Sequence, residues 1–191
     1  MNKNYKAAIS GAQSQGKTTL LKAIQLSTAL NEYHFSYLTG VARSVGKYLP
    51  INEGGTLLTQ YMVLSKHVEA CLQPGRWITD RSVLDVISYT KYHLDDGTLS
   101  VGDYLTLTAV YKKCIQYYDR IFYIVPELPL ENDGGRSVDQ EYFKAIVCNF
   151  EALVFELQQH TNKIVLVKGT IADRVKIIED QIKADLTLEK L

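Results

Sequence analysis

The residues with the clearest chemistry lie near the amino terminus, in the octapeptide GAQSQGKT at positions 11–18. It fits the phosphate-binding P-loop pattern G-x-x-x-x-G-K-[ST] at every fixed position. We expect the backbone N–H groups of residues 13–18 to converge on a β-phosphate, helped by the positive end of the following helix. Lys17 is predicted as a catalytic residue that reaches the β- and γ-phosphates, and the Thr18 hydroxyl is expected to ligate Mg²⁺. The motif therefore predicts nucleotide binding.

The triphosphate is predicted to be ATP, because no clear N-K-x-D motif for GTP accompanies the loop. The two glycines permit the backbone angles and the close approach that a phosphate needs. The predicted ATP-binding residues are Gly11, Gln13, Ser14, Gln15, Gly16, Lys17, Thr18 and Thr19.

A second polar group, Asp80-Arg81-Ser82, follows the apolar segment RWIT. A carboxylate at the end of a strand can hold Mg²⁺ through water or accept a proton from an attacking hydroxyl. Asp80 is therefore predicted as a catalytic and metal-binding residue; its alternative is an N-cap, a role that Ser82 would also fill. Arg81 is predicted to bind a substrate phosphate or hydroxyl, and its alternative is a surface ion pair.

The segment 126–138 contains Pro129 and the run NDGGR, and it is too polar for a strand. It is predicted to be an exposed, mobile lid loop. Closure of this loop would bring Arg136 to the transferred phosphoryl group, where a guanidinium neutralises developing charge and water is excluded. Arg136 is therefore predicted as a catalytic residue, with a solvated linker arginine as the alternative.

Three further residues are candidates for binding the acceptor of the phosphoryl group. Arg43 follows the second predicted strand, where a phosphate acceptor should dock. Gln60 and Tyr61 offer amide hydrogen bonding and stacking to a base. The alternative for all three is the surface of a helix.

Strand-like and helix-like segments alternate along the whole chain, which predicts a parallel sheet covered by helices on both faces. The predicted strands are residues 5–10, 35–39, 76–80, 120–125 and 163–167. The predicted helices are residues 18–30, 41–48, 56–72, 83–93, 101–117, 138–160 and 170–186. Ligands bind beyond the carboxyl ends of such strands, where the P-loop, Arg43, Asp80-Arg81-Ser82 and the Gly-rich loop after the fourth strand come together. We expect an α/β, three-layer P-loop NTPase fold in one domain spanning residues 1–191.

Composition excludes several classes of protein. Lys plus Arg and Asp plus Glu both number 21, and this zero net charge removes the broad attraction that a non-specific nucleic-acid binder needs. There is no apolar run of about 18 residues and no signal-peptide pattern, so we expect a cytoplasmic protein without a membrane partner, in the host cytoplasm if it is phage-encoded. The three cysteines lack ligand spacing, so we expect reduced thiols and neither zinc nor a disulfide.

The segments GAQSQGKTTL, VARS, WITDRS and YDRIFYIVPELPLENDGGR resemble the P-loop small-molecule kinases typified by the ribosylnicotinamide kinase domain. These kinases are grouped with AAA-like ATPase domains and are related to thymidylate and deoxynucleoside kinases. The resemblance covers about residues 6–182 and implies a five-stranded parallel core, ATP as donor, Mg²⁺, Asp80 as base or metal ligand, and Arg136 as the lid arginine. Relatives often carry an acidic residue before the A-R of the second-strand loop, whereas this chain has LTGV at 38–41, so the resemblance names no acceptor.

Three functions are open from the sequence. The first is a kinase that transfers the ATP γ-phosphate to a nucleoside, a nucleoside monophosphate or a related small acceptor, and a homodimer is left open. The second is an ATPase or GTPase switch with a protein partner, although Asp80 is a single acidic residue where motor ATPases usually have two. The third is a kinase of hydroxymethylated pyrimidines in DNA, which needs a basic groove that the composition does not indicate. The lid loop with Arg136 favours the first.

Overall fold

The computed structural model describes residues 4–130 and 139–188, and within them five strands form one fully parallel sheet. The strands are β1 Tyr5–Ser10, β2 Ser36–Leu38, β3 Arg76–Asp80, β4 Arg120–Ile124 and β5 Ile164–Val167. Their order across the sheet is β2-β3-β1-β4-β5. The strand that precedes the P-loop therefore lies at the centre, with one neighbour from each half of the chain.

Helices cover both faces of the sheet, which makes three layers. They are α1 Lys17–Gln25, α2 Val41–Val45, α3 Leu57–Leu72, α4 Val83–Asp95, α5 Val101–Cys114, α6 Gln140–Gln158 and α7 Ile171–Leu188. Short 3₁₀ helices occupy Thr28–Tyr33, Asn52–Gly54 and Ile115–Tyr117. Helices α1 and α7 pack on one face, and α2 to α6 pack on the other.

Alternation of buried side chains along the strands explains why two layers of helices are needed. In β4, Ile121 and Tyr123 pack into the core under α2 to α6, while Phe122 and Ile124 pack into the core under α1 and α7. A parallel strand that is buried on both faces must be apolar at nearly every position. The covering helices carry apolar residues at a spacing of four, which matches the helical period and gives each helix one buried stripe.

The predicted architecture is confirmed, with five parallel strands and helices on both faces. The bounds predicted for β1 and β3 match those observed. The helix predicted for residues 18–30 is wrong beyond Gln25, because Ser27 caps a separate 3₁₀ helix with its side chain accepting from the N–H of Ala29. The helix predicted for 41–48 ends at Val45.

Other sequence predictions can be placed on this framework. Cys71 and Cys114 are buried in helices, but Cys148 is exposed on α6. No helix in residues 4–130 and 139–188 is both long and apolar enough to cross a bilayer. Of the predicted lid loop, only residues 126–130 fall within the described chain, and they are partly or fully exposed. Arg136 lies outside the described residues.

A partly buried carboxylate fastens α7 to the amino-terminal edge of the sheet, opposite the P-loop. Asp185 accepts hydrogen bonds from the Tyr5 hydroxyl at 2.6 Å, from two nitrogens of Arg120 at 2.6 and 2.7 Å, and from Gln181 at 2.9 Å. Burial raises the pKa of Asp185, but the hydrogen bonds from Arg120, Tyr5 and Gln181 outweigh it and hold the pKa below its ordinary value. The carboxylate thus joins β1, β4 and α7.

We predict that Asp185→Asn lowers the free energy of unfolding by about 2 kcal/mol at pH 7, because charge-assisted hydrogen bonds are lost. Since the pKa is lowered in the folded chain, this stabilisation is present above the ordinary carboxyl pKa and is lost as the pH falls through the lowered value. The difference in unfolding free energy between Asp185→Asn and wild type should therefore become smaller in acid. Urea denaturation at pH 7 and at a pH below the lowered pKa measures it.

The control is Asp180→Asn on the same helix, where the carboxylate pairs with Lys176 at the surface. This change should alter stability by no more than about 0.5 kcal/mol. Equal effects of the two substitutions would contradict the assignment of Asp185 as a tether.

Candidate active site

The loop between β1 and α1 has the backbone of a phosphate cradle. Gly11 has φ 145° and Gly16 has φ 74°, which are conformations that L side chains rarely adopt. A Cβ on Gly11 would lie 3.0 Å from the backbone oxygen of Ile124, so the position has no room for a side chain. Ser14 also has a positive φ of 62°, a strained geometry that costs roughly 1 kcal/mol for a residue other than glycine. Strain of this kind is concentrated at functional sites.

Lys17 opens α1, and its side chain turns back over the loop. The side chain is buried, and Nζ donates to the backbone oxygens of Gly11, at 2.6 Å, and Ala12. Its charge is thereby held beside the concave face of the loop. An anion placed in the loop would meet both this charge and the N–H groups at the start of α1.

A cavity of about 220 Å³ extends from the P-loop along the carboxyl edge of the sheet. It is lined by residues 13–18 of the loop, residues 39–43 at the start of α2, Thr59, Gln60 and Val63 of α3, and residues from β3 and α4. The loop that suits a nucleotide phosphate therefore shares one chamber with two further polar walls.

Most of the predicted site residues meet in this cavity. Those that line it are Gln13, Ser14, Gln15, Gly16, Lys17, Thr18, Arg43, Gln60, Asp80 and Arg81. Gly11, Thr19 and Tyr61 are not among the lining residues: Gly11 is buried at the start of the loop, and Thr19 is exposed on α1. Tyr61 is 37% exposed on α3, because consecutive residues of a helix do not share a face, so the structure does not bring it to the cavity with Gln60.

Ser82, and not Asp80, caps helix α4. The Ser82 side chain accepts from the N–H of Leu84 at 3.0 Å, and Asp85 accepts from the N–H of Ser82 at 3.0 Å, which completes a capping box. The Ser82 hydroxyl also lies 2.6 Å from the hydroxyl of Ser10 in β1. Asp80 has no capping role and faces the cavity at the end of β3.

Arg81 adopts an unusual backbone that aims its side chain along the cavity wall. Its φ is 78°, its N–H donates to Ile9 at 2.9 Å, and its carbonyl accepts from the Thr79 hydroxyl at 2.8 Å. The guanidinium pairs with Asp85 at 3.2 Å and lies 5.4 Å from the ring centre of Tyr89. The Arg81 side chain is 24% exposed and Asp85 only 3%, so the pair is not a solvated surface contact.

Tyr89 links this group to the P-loop. Its hydroxyl donates to the side-chain oxygen of Gln13 at 3.0 Å, and Gln13 is 4% exposed. His67 of α3 is fully buried, and burial lowers its pKa to about 4. The ring is therefore neutral at pH 7, and the formal charges lining this part of the cavity come from Asp80, Arg81 and Asp85.

Comparison with known proteins places the chain in a family. A model of the AAA domain family matches residues 6–174. The chain belongs to the AAA domain family. No curated protein matches it in sequence at a significant level.

Solved structures show that this AAA domain has a P-loop NTPase fold. The NadR protein in complex with NR is similar with a TM-score of 0.70 and 17% identity, over 94% of this chain and 51% of that one. NadR with NAD and AMP-PNP gives 0.68 and 16%, over 94% and 49%. Deoxyadenosine kinase from M. mycoides, with dCMP and dCDP bound, gives 0.62 and 17%, over 94% and 98%. The chain spans about half the length of the NadR chains.

Two side chains of the cavity have the ligand chemistry that Mg²⁺ prefers. The Thr18 hydroxyl and the Asp80 carboxylate line the same cavity, and both are oxygen ligands of the kind that Mg²⁺ prefers. Residues 4–130 and 139–188 contain no group of three or more His, Cys, Asp or Glu side chains arranged to hold a metal ion. Mg²⁺ needs no such group, because it is commonly held by one or two protein ligands together with substrate phosphates and water.

Sequence reasoning missed Asp85 and Tyr89. The Ser82-x-x-Asp85 spacing is a capping-box pattern and was a usable signal for Asp85 as a cap, though not for its pairing with Arg81. Nothing in the sequence indicated Tyr89, since its contact with Gln13 joins residues 76 positions apart.

We predict that Arg81→Gly is more stable than Arg81→Ala by about 1 kcal/mol, because only glycine adopts the positive φ without a steric cost. Both variants lose the same guanidinium, so the difference reports the backbone alone. Urea denaturation of the two proteins measures it.

The matched pair is at Glu151, which is exposed in the interior of α6. There the order should reverse, with glycine less stable than alanine by about 1 kcal/mol. An Arg81→Ala protein as stable as Arg81→Gly would show that Arg81 does not keep the left-handed conformation.

Proposed function

We propose that this protein is an ATP-dependent phosphotransferase that moves the γ-phosphate to a nucleoside, a nucleoside monophosphate or a related small acceptor. The observation that carries the proposal is the single cavity shared by the P-loop, Asp80-Arg81 and the polar wall of α2 and α3. Simple hydrolysis needs room for a water molecule only. Polar side chains that line the cavity beyond the phosphate loop, such as those of Arg43 and Gln60, are suited to orienting an organic acceptor.

The part of the proposed site that would bind the phosphate donor is the P-loop. Backbone N–H groups and the start of α1 would hold the β-phosphate, and Lys17 would move from its carbonyl partners toward the β- and γ-phosphates. Thr18 would ligate Mg²⁺, which bridges the phosphates and neutralises their charge. NadR, whose fold is similar, has been solved with AMP-PNP, an analogue of ATP, which supports ATP as donor.

The catalytic part of the proposed site is Asp80 with Arg81. The acceptor oxygen would attack the γ-phosphorus and form the new P–O bond, and an acceptor hydroxyl would give its proton to the Asp80 carboxylate. The bond from the γ-phosphorus to the bridging oxygen would break, and ADP would leave with that electron pair. Arg81 would stabilise negative charge on the transferred group or the acceptor. Arg136 stays a prediction from the sequence as the lid arginine.

The part that would bind the acceptor is the wall formed by Arg43 and Gln60. Gln60 is 6% exposed, so an amide there can distinguish ligands by hydrogen bonding in a largely dry environment. Arg43 lies at the rim, where its side chain is exposed. The solved structures of NadR with NR and of deoxyadenosine kinase with dCMP and dCDP support an acceptor of the nucleoside class.

The test of this function is ADP release from Mg-ATP with nucleosides, nucleoside monophosphates, ribosylnicotinamide and hydroxymethylated DNA, each against a reaction without acceptor. We expect release that depends on a nucleoside or nucleoside monophosphate. Equal release without any acceptor would favour an ATPase that acts with a protein partner, and release that requires DNA would favour the DNA-base kinase.

We predict that Asp80→Asn lowers the turnover number on the order of 100- to 10,000-fold, the usual contribution of a general base. The affinity for ATP should stay largely unchanged, because the P-loop is intact. Steady-state kinetics and titration calorimetry with ATP measure the two effects.

The control is Asp180→Asn, which removes an equal charge from the surface of α7 and should change neither quantity. Recovery of the Asp80→Asn rate at high Mg²⁺ would assign Asp80 to the metal and not to the proton. Full turnover by Asp80→Asn would remove Asp80 from the mechanism.

A further inference from the structure

A buried arginine of α7 lies against the outer side of the P-loop. Arg174 is 2% exposed, although it is charged and lies in the first turn of its helix. Its guanidinium donates to the backbone oxygen of Gln15 at 2.8 Å, to the backbone oxygen of Gly169 at 2.8 Å, and to the Glu127 carboxylate at 3.0 Å. Every nitrogen of the fork therefore has a partner, and the three partners belong to three different loops.

Glu127 completes the charge pairing behind the loop. Its carboxylate accepts from the N–H of Gly169 at 2.7 Å as well as from Arg174. The Gly169 N–H and the Arg174 guanidinium hold the pKa of Glu127 below its ordinary value, so the carboxylate is charged at neutral pH. The loop after β4 and the loop after β5 are thereby joined to each other and to Arg174.

Gln15 is held by its side chain as well as by its backbone. The side-chain oxygen accepts from the N–H groups of Glu127 and Leu128, both at 2.9 Å, and the side-chain nitrogen donates to the backbone oxygen of Leu128 at 2.8 Å. Gln15 has no exposed surface. A residue in the middle of the P-loop is thus fixed from behind by four hydrogen bonds, none of which involves the cavity.

The orientation of one peptide unit follows from these contacts. The peptide between Gln15 and Gly16 is trans, so its C=O and N–H point in opposite directions. Arg174 draws the C=O outward, which turns the Gly16 N–H inward, toward the concave side of the loop. This N–H is one of the groups that a phosphate would contact at the start of α1.

We propose that Arg174 is a positioning residue for phosphate binding, which fixes the Gln15–Gly16 peptide so that the Gly16 N–H faces the bound phosphate. The inference rests on the phosphate-binding part of the proposed function and is independent of the acceptor. It gives α7 a role in the site although Arg174 does not line the cavity. Donors that are fixed before the ligand arrives bind it without a cost of reorganisation.

An arginine is required at this position because three acceptors lie in different directions around one planar group. A guanidinium offers five N–H donors in a rigid fork, whereas a lysine ammonium is a compact point charge on a flexible stem. Arg174→Lys therefore keeps the charge beside Glu127 but cannot hold all three oxygens. The Gln15 carbonyl would then be free to rotate.

The experiment is titration calorimetry of the full chain with inorganic pyrophosphate and with ADP. Pyrophosphate has neither base nor acceptor, so it reports the loop alone. We expect Arg174→Lys to weaken binding of both ligands by roughly tenfold or more, the scale of one lost charge-assisted hydrogen bond. The matched control is Arg120→Lys, a bonded arginine at the opposite edge of the sheet, which should lower the melting temperature without changing either affinity.

Unchanged affinity in a folded Arg174→Lys protein would overturn the proposal, and so would an equal loss in Arg120→Lys. If Arg174→Lys does not fold, Glu127→Ala replaces it, since Glu127 is 38% exposed and alanine leaves one arm of the guanidinium without its acceptor. Weaker pyrophosphate binding by Glu127→Ala is expected, and wild-type binding would again overturn the proposal. Wild-type protein that binds pyrophosphate but phosphorylates no acceptor would count against the kinase and leave this inference standing.

Discussion

A loop that turns its N–H groups inward to an anion must turn carbonyl groups outward, and buried carbonyls need donors. In this protein the outward carbonyl of Gln15 accepts from the buried guanidinium of Arg174. On the concave side, the carbonyls of Gly11 and Ala12 accept from Lys17. The left-handed angle at Ser14 is a strained conformation of the kind that surrounding contacts hold in place. The position of β1 at the centre of the sheet supplies this support, because elements from both halves of the chain surround its carboxyl end.

The two loops that would handle donor and acceptor are joined directly. The N–H of Arg81 donates to Ile9 in β1, and the hydroxyls of Ser10 and Ser82 lie 2.6 Å apart, so the end of β3 is fixed to the strand that precedes the P-loop. Tyr89 adds a third link through Gln13. Because transfer of a phosphoryl group requires donor and acceptor in line, a fixed distance between these loops would contribute to the proposed reaction.

Much of the fold was predictable from the sequence, because it depends on local patterns. The P-loop motif identified the loop, the buried strand before it and the helix after it, and short apolar runs located the other strands. The end of α1 was missed, since helical periodicity continues past Gln25 while the Ser27 cap starts a different helix. Most of the candidate site was predictable as well. The P-loop, Asp80, Arg81, Arg43 and Gln60 meet in the cavity, whereas Tyr61 does not line it.

The residues that support the site were not predictable, for a physical reason. Arg174 and Gln15 are 159 positions apart in the sequence. From the sequence alone, a charged residue in a helix is expected to be exposed to solvent. Only tertiary packing shows that Asp85 and Tyr89 orient Arg81.

Phosphorus NMR of a mixture of the protein, Mg-ATP, nucleosides and nucleoside monophosphates follows the γ-phosphate itself. If the protein is a phosphotransferase, the signal of the γ-phosphate moves to a new phosphate ester or anhydride of one of these acceptors. A signal that appears only as inorganic phosphate would contradict this function.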